Sequence, residues 1–308
     1  MVTLADIRRA RKVVEKVAIR TPLLPLKFFP ERPETYVKCE NLQRGGAFKC
    51  RGAFAKIMSL SPKVRKKGVV AYSSGNHAQG VALAAQALGI PATIVLLDHS
   101  LPHKIEGTRA FGAEVILGGE SSEEIKVRAE QIAKERGMTL VPPLNDPHII
   151  AGQGTIGLEI LEEMPEVSAV VVQIGGGGLI SGIATAIKSL KKRVKIFGVE
   201  PEGAPKMSES LLKGELVTLP STNTIADGLR PVRAGELTFD HVMKYVDGIA
   251  LVSDQELLET ARHLILKEKL VVEPSGAASV AAIRYKKINL PKGKVVAILS
   301  GGNADLKS

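Results

Sequence analysis

The chain has 308 residues, 44% of them apolar and 24% charged, with a formal net charge of +10. That length holds one large or two modest domains with a sizeable core, and the composition is that of a folded globular chain rather than a disordered one. No apolar run reaches the roughly 18 residues of a membrane helix. Two cysteines are too few for a disulfide framework, and 4% aromatics without a tryptophan offer no stacking platform for a nucleic-acid strand.

The N-terminus runs straight into a charged helical pattern over residues 7–17, which is not a secretion signal. A reducing cytoplasm is the expected compartment. The first segment with a chemical look is Gly46-Ala47-Phe48-Lys49-Cys50-Arg51-Gly52-Ala53. It sets a lysine between a glycine-bearing turn and a helix start. Burial or the positive end of a helix disfavours the ammonium and lowers its pKa, and a neutral lysine amine forms Schiff bases with carbonyl compounds. The plain alternative is one more surface lysine.

From there apolar runs and helical patterns alternate. Strands are expected at 68–72, 91–97, 113–117, 138–141, 168–174, 195–199, 249–252 and 294–299. Helices are expected at 77–88, 122–136, 155–163, 179–190 and 254–267. Continuous apolar strands alternating with helices predict a parallel α/β architecture with both sheet faces covered. Four strand candidates between 68 and 142 form a block that ends at Pro142-Pro143. It is expected to be a small domain, 68–142, inserted between two parts of a large one, 1–67 and 143–308. The basic clusters at 63–67 and 188–195 fall near predicted helix ends, where cations complement the dipole, so no nucleic-acid or membrane partner is expected. A lysine-rich chain with few cysteines fits a heat-tolerant source.

Three loops lie where a strand ends. Ser73-Ser74-Gly75-Asn76-His77 opens a helix, and its hydroxyls, amide and N–H groups suit a carboxylate or phosphate. His77 taken alone reads as a structural histidine. Gly175-Gly176-Gly177-Gly178 lets successive N–H groups converge on an anion. The rival reading of that unit is a dinucleotide fold: Gly176-x-Gly178-x-x-Ser181 nearly matches GxGxxG, with Glu200 ending the next strand. The third glycine is missing, and Lys49 and the Ser73–His77 loop are left without a purpose. Ser300-Gly301-Gly302-Asn303 follows the last strand. It serves equally as a turn or as a ligand contact.

Taken in order, these segments, with Ala151-Gly152-Gln153-Gly154-Thr155, Ile225-Ala226-Asp227-Gly228 and Val272-Glu273-Pro274, resemble the fold-type II pyridoxal-phosphate enzymes. The nearest match is the threonine/serine dehydratase and serine racemase family. The resemblance implies two open parallel-sheet α/β domains of the tryptophan synthase β-like type, with pyridoxal 5'-phosphate as cofactor. Lys49 would hold the cofactor as a Schiff base and move the substrate Cα proton. Phe48 would flank its ring, and Gly175, Gly176, Gly177 and Gly178 would bind its phosphate. Asn76 would bond the ring hydroxyl and Ser300 the pyridine nitrogen, whose neutral partner suits elimination and racemisation better than transamination. Ser73, Ser74, Gly75, Asn76 and His77 would hold the substrate carboxylate. The implied reaction is α,β-elimination of water from L-threonine or L-serine, giving a 2-oxo acid and ammonia, by a homodimer or homotetramer.

Departures from the family pattern refine this. Ala47 stands where many members have serine, removing one hydroxyl near the substrate. Ser74 stands where racemase-like members carry a second base, so serine racemase is the alternative; no arginine stands at 125–126, where some racemases have one. Glu200 falls where such members bind a divalent cation, and a monovalent cation is the other option there. Lys206 stands where their second acid would be. The chain ends soon after the Ser300 loop, so a C-terminal regulatory domain is not expected. Thr-Ser-Gly-Asn-Thr, usual in the cysteine-synthase branch, is absent. A nicotinamide-dependent reductase is the alternative of another class.

Overall fold

A computed structural model describes residues 1–27, 34–73, 75–100 and 102–304. Among these, the strands are β1 (Leu23–Pro25), β2 (Thr35–Lys38), β3 (Val69–Tyr72), β4 (Ala92–Leu96), β5 (Glu114–Leu117), β6 (Thr139–Leu140), β7 (Ala169–Gln173), β8 (Lys195–Pro201), β9 (Gly248–Val252) and β10 (Val295–Ile298). The helices are α1 (Leu4–Val14), α2 (Lys49–Ser59), α3 (Pro62–Arg65), α4 (Asn76–Leu88), α5 (Pro102–Arg109), α6 (Ser122–Arg136), α7 (Pro147–Glu163), α8 (Gly178–Leu190), α9 (Lys206–Lys213), α10 (Glu236–Tyr245), α11 (Asp254–His263) and α12 (Pro274–Arg284). No helix among them is long and apolar enough to cross a membrane.

The strands form two sheets, one of order β1-β2-β10-β7-β8-β9 and one of order β5-β4-β3-β6. All pairings are parallel except β1 with β2. Side chains alternate between the two faces of each sheet, and helices cover both. In the larger sheet Val171, Val199 and Ala297 pack under α11 and α12, while Val170, Val172, Val296 and Ile298 pack under α7 and α8. In the smaller one Val69, Ala71 and Ile94 meet α4, whereas Val70 and Val95 meet α6. The cluster under the smaller sheet also takes in Ala53, Phe54 and Ile57 of α2 and Ile149 of α7. Each fully buried Val or Ile contributes about 1.5–3 kcal/mol relative to exposure.

Three features escape a reading of local pattern. Strands β1 and β2 are three and four residues long, and β2 ends on the buried charge of Lys38, so neither presents an apolar run. Helix α7 starts at Pro147, eight residues before the expected position, because Asp146 caps it by accepting the N–H groups of His148 at 2.8 Å and Ile149 at 3.2 Å. Its glycines lower helix propensity but allow contact: a Cβ on Gly152 would stand 2.6 Å from the Arg51 carbonyl oxygen. The helix expected over 254–267 ends at His263 and continues as a π-turn, Leu264–Glu268, closed by Lys269 at φ 61°.

Candidate active site

Each sheet has one place where the chain reverses its direction of strand addition. In the larger sheet β8 and β9 extend one side of β7, and β10 lies on the other. In the smaller, β4 and β5 extend one side of β3, and β6 lies on the other. Loops leaving parallel strands at such points part and leave a crevice. The loops here are Ser73–His77 after β3, Val141–Leu144 after β6, Gly175–Gly178 after β7 and Ser300–Asn303 after β10. Residues of all four line one cavity of about 660 Å3.

Lys49 is the first residue of α2 and lines that cavity. Its amine donates to the Pro143 carbonyl at 3.0 Å and lies 5.2 Å from the centre of the Phe48 ring. Burial lowers its pKa from 10.5 to about 8, because the charged form loses its water. The strand-like segment before it is locked to the Ser300 loop. Phe48 N–H donates to the Ser300 carbonyl at 3.1 Å, Gly302 N–H to the Gly46 carbonyl at 2.8 Å, and Ala47 bridges Gly301. The Lys49 amine and Ser300 therefore sit in fixed relation.

Two helices begin in the cavity without a side chain capping them. The N-cap residues of α4 and α8 are Gly75 and Gly177, and neither first turn carries an acid. Their first N–H groups and positive dipole ends are available to anions. The four glycines leading into α8 are not equivalent. A Cβ on Gly175 would meet the Gly228 carbonyl oxygen at 2.6 Å, one on Gly176 would meet Leu144 Cδ2 at 2.3 Å, and Gly177 has φ +92°. At Gly178 a Cβ would meet no protein atom within 4 Å; that position opens on the cavity. The first three glycines are demanded by packing or backbone, whereas the fourth leaves room for a ligand.

Asn76 is gripped at both ends. Its Oδ1 accepts from Asn303 Nδ2 at 2.8 Å, and its Nδ2 donates to Glu273 Oε1 at 2.6 Å, which leaves a second amide hydrogen for a ligand. Burial, and next the Asp227 carboxylate, push Glu273 up to about 7. His77 donates Nε2–H to the Val141 carbonyl at 2.9 Å. Burial, then the Lys49 charge, push it down to about 3, so the ring is neutral. Its Nδ1 and the Oε1 atoms of Gln153 and Gln173 are buried without a protein partner, and all three residues line the cavity. Unpaired polar atoms of this kind fit a polar ligand. Lys104 of α5 pairs with Asp227, which lines the cavity.

Phe48, Lys49, Ser73, Gly75, Asn76, His77, Gly175, Gly176, Gly177, Gly178 and Ser300 are thus brought to one cavity, and they fit pyridoxal phosphate: a low-pKa amine, an open anion cradle and an uncharged hydroxyl. Ser74 lies outside the described residues. Glu200 is elsewhere, fully buried beneath the glycine loop. Its Oε1 accepts from Met207 N–H at 3.0 Å, its Oε2 from Ser208 N–H at 2.8 Å and Oγ at 2.9 Å. It therefore faces its own chain, not a ribose or an added ion, and no cluster of three His, Cys, Asp or Glu able to hold a metal occurs among the described residues. The cavity residues given no role from sequence are Glu273, Asp227, Gln153 and Gln173. Glu273, Asp227 and Gln153 stand in segments that carry the family resemblance, and Pro274 marks Glu273 as an N-cap whose side chain, in the structure, makes no cap bond.

The sequence pattern of the family described as pyridoxal-phosphate dependent enzyme matches residues 14–301. L-threonine ammonia-lyase of Thermotoga maritima is 47% identical over 308 residues, spanning 99% of this chain and 77% of that protein. The catabolic L-threonine dehydratase TdcB of Staphylococcus aureus is 43% identical, spanning 99% and 90%. Among solved structures, maize serine racemase superposes with a TM-score of 0.96 at 38% identity, covering 99% of this chain and 95% of that one. The T.th. threonine deaminase does so with a TM-score of 0.94 at 40% identity, covering 99% and 100%. Low-pKa amine, anion cradle and matching pattern agree: the chain belongs to the pyridoxal-phosphate dependent enzyme family, with the fold-type II architecture of these neighbours.

Proposed function

We propose that this enzyme is an L-threonine/L-serine ammonia-lyase, converting the amino acid to a 2-oxo acid and ammonia. The observation that carries the reading is the Lys49 amine, with its pKa brought to about 8, in a cavity that receives two uncapped helix N-termini. The names of the relatives at 43–47% identity support the same substrate class. Pyridoxal phosphate bound there supplies an electron-withdrawing ring that eases removal of a proton from the substrate Cα.

The chain's own residues do the rest. The N–H groups of Gly175–Gly178 and the start of α8 bind the phosphate. The start of α4, with Ser73, Gly75 and Asn76, binds the substrate carboxylate, and Ser74 stands between the first two in sequence. His77, neutral, holds that loop against Val141. With the cofactor bound, Ser300 would meet the ring nitrogen without a charge, and the second Asn76 amide hydrogen would go to the ring hydroxyl. Lys49 Nζ takes the Cα proton. The Cβ–oxygen bond then breaks, the hydroxyl leaves as water with one proton, which balances the one Lys49 took from Cα, and the released enamine takes up a water to give the oxo acid and ammonia.

In this reading residues 1–67 and 143–308 form the cofactor domain and 68–142 the substrate domain, with a homodimer or homotetramer as the working form. The two cysteines, both free and buried, fit a reducing cytoplasm. Serine racemase is a second reading, favoured by the likeness to the maize enzyme. Purified protein loaded with pyridoxal phosphate should release oxo acid from L-threonine, and Lys49→Ala should lose about four orders of magnitude in kcat, the upper range for a positioned acid–base group. Absence of visible cofactor absorbance would sink both readings. D-serine formed without oxo acid selects the racemase.

A further inference from the structure

Beneath the glycine loop lies a charged centre outside the cavity. Lys206, the first residue of α9, is 0% exposed. Its ammonium donates to the main-chain carbonyls of Ile174, Ala204 and Leu229, each at 3.1 Å. Glu200 Oε1 lies at 3.1 Å as well. Three carbonyls and one carboxylate around a single positive centre are the donor set of a hard cation. An added cation at Glu200 does not fit these residues: it would be pressed against the Lys206 ammonium, and both carboxylate oxygens are already engaged.

The three carbonyls come from three segments that form the floor of the loop. Ile174 immediately precedes Gly175. Leu229 follows Gly228, whose own carbonyl oxygen stands 2.6 Å from a Cβ position on Gly175. Met207, next to Lys206, places Cε 3.2 Å from a Cβ position on Gly177. Convergent carbonyl dipoles repel one another in a dry interior, and a positive charge is what holds them together. A trans peptide points its C=O and N–H in opposite directions. Drawing the Ile174 carbonyl to Lys206 therefore turns the Gly175 N–H away from it.

We propose that Lys206 is a tethered internal cation, a positioning residue that fixes the glycine loop and frees the cofactor site from any added metal ion. The inference rests on reading that loop as the phosphate cradle, but part of its test does not depend on turnover. The wild-type holoenzyme, treated with EDTA in tetramethylammonium chloride, is compared with matched KCl, NaCl, NH4Cl, MgCl2 and CaCl2. Cofactor affinity and oxo-acid formation should change by less than about twofold, and a stimulation of about tenfold or more by any of these salts would overturn the proposal. In Lys206→Ala the oxygens lose their cation and the side chain leaves space. The apoprotein should melt lower than wild type in tetramethylammonium chloride. Potassium or ammonium should raise its melting temperature saturably and restore cofactor affinity by about tenfold, with no such shift in wild type. A variant that melts alike in all salts, or that binds cofactor as wild type does, overturns it. If the variant does not fold, the wild-type salt series still decides. Failure of the lyase reading shows itself separately, as cofactor binding and salt-dependent melting without turnover.

Discussion

Replacing Gly178 by alanine separates anion binding from the folding of the glycine loop. The new methyl would have no protein atom within 4 Å, and the residue's φ lies outside the left-handed region. As the first residue of α8, alanine is favoured over glycine there by up to about 0.5–1 kcal/mol. The Gly178→Ala apoprotein should thus melt at or slightly above the wild-type temperature. The same methyl stands where an anion approaches the N–H groups of the loop. Losing one hydrogen bond to a charged group costs about 1.5–3 kcal/mol, a rise in cofactor Kd of roughly tenfold to 150-fold. Fluorescence titration of the apoprotein with pyridoxal phosphate measures the second effect, and thermal melting the first. Gly176→Ala is the control: with Leu144 Cδ2 only 2.3 Å from its Cβ, it should lose stability and affinity together. A Gly178→Ala protein that binds the cofactor within about twofold of wild type, or loses more than about 1 kcal/mol of apoprotein stability, refutes the assignment of that space to the ligand.

The remaining expectations concern charge. With its pKa near 8 rather than 10.5, about a quarter of the Lys49 amine is neutral at about pH 7.5, against about one part in a thousand for an ordinary lysine. Stopped-flow cofactor uptake by the apoprotein should therefore rise with pH through about 8 and then level; a profile still climbing tenfold per unit at about pH 9.5 contradicts this. The stability linkage has the same sign. The unfolded chain keeps that proton up to about 10.5, so Lys49 makes folding more favourable as pH rises from about 8 to 10.5. Arg51 is buried between Glu40, at 2.8 Å, and Glu159, at 2.6 Å. Arg51→Met leaves Glu40 buried without its cation and Glu159 with Lys38 alone, and should cost about 3–5 kcal/mol in urea unfolding; a loss under about 1 kcal/mol would show that the ion network does not hold α2. Asp227→Asn removes the negative charge that helps push Glu273 up to about 7 and frees Lys104 beside it. Both effects lower the Glu273 pKa, which carboxyl 13C NMR should follow downward; an unmoved titration would refute the coupling.

Lys49, the glycine run and the strand-end loops were legible because each is written in consecutive residues. An apolar run such as Ala169-Val170-Val171-Val172 reads as a buried strand wherever it stands, and four glycines in a row announce a special backbone. Even so, the run did not reveal that Gly175, Gly176 and Gly177 answer to packing and backbone while Gly178 faces open space. The early strands were hidden for a related reason: β2 is four residues long and ends on Lys38, whose burial depends on Glu159 at 2.7 Å, far along the chain.

By itself the sequence determined the class of fold, the candidate lysine and the order of the loops, since periodicity, apolar runs and glycine content are local properties of a chain. Tertiary structure alone decided which charges meet. Asn76 and Glu273 are 197 positions apart, Lys49 and the Pro143 carbonyl 94, and Lys104 and Asp227 123. Lys206 looked like the wrong charge beside Glu200 until Ile174 and Leu229 were seen to turn their carbonyls to it. The pKa of a buried group is set by what surrounds it in space, and no spacing along the chain records that.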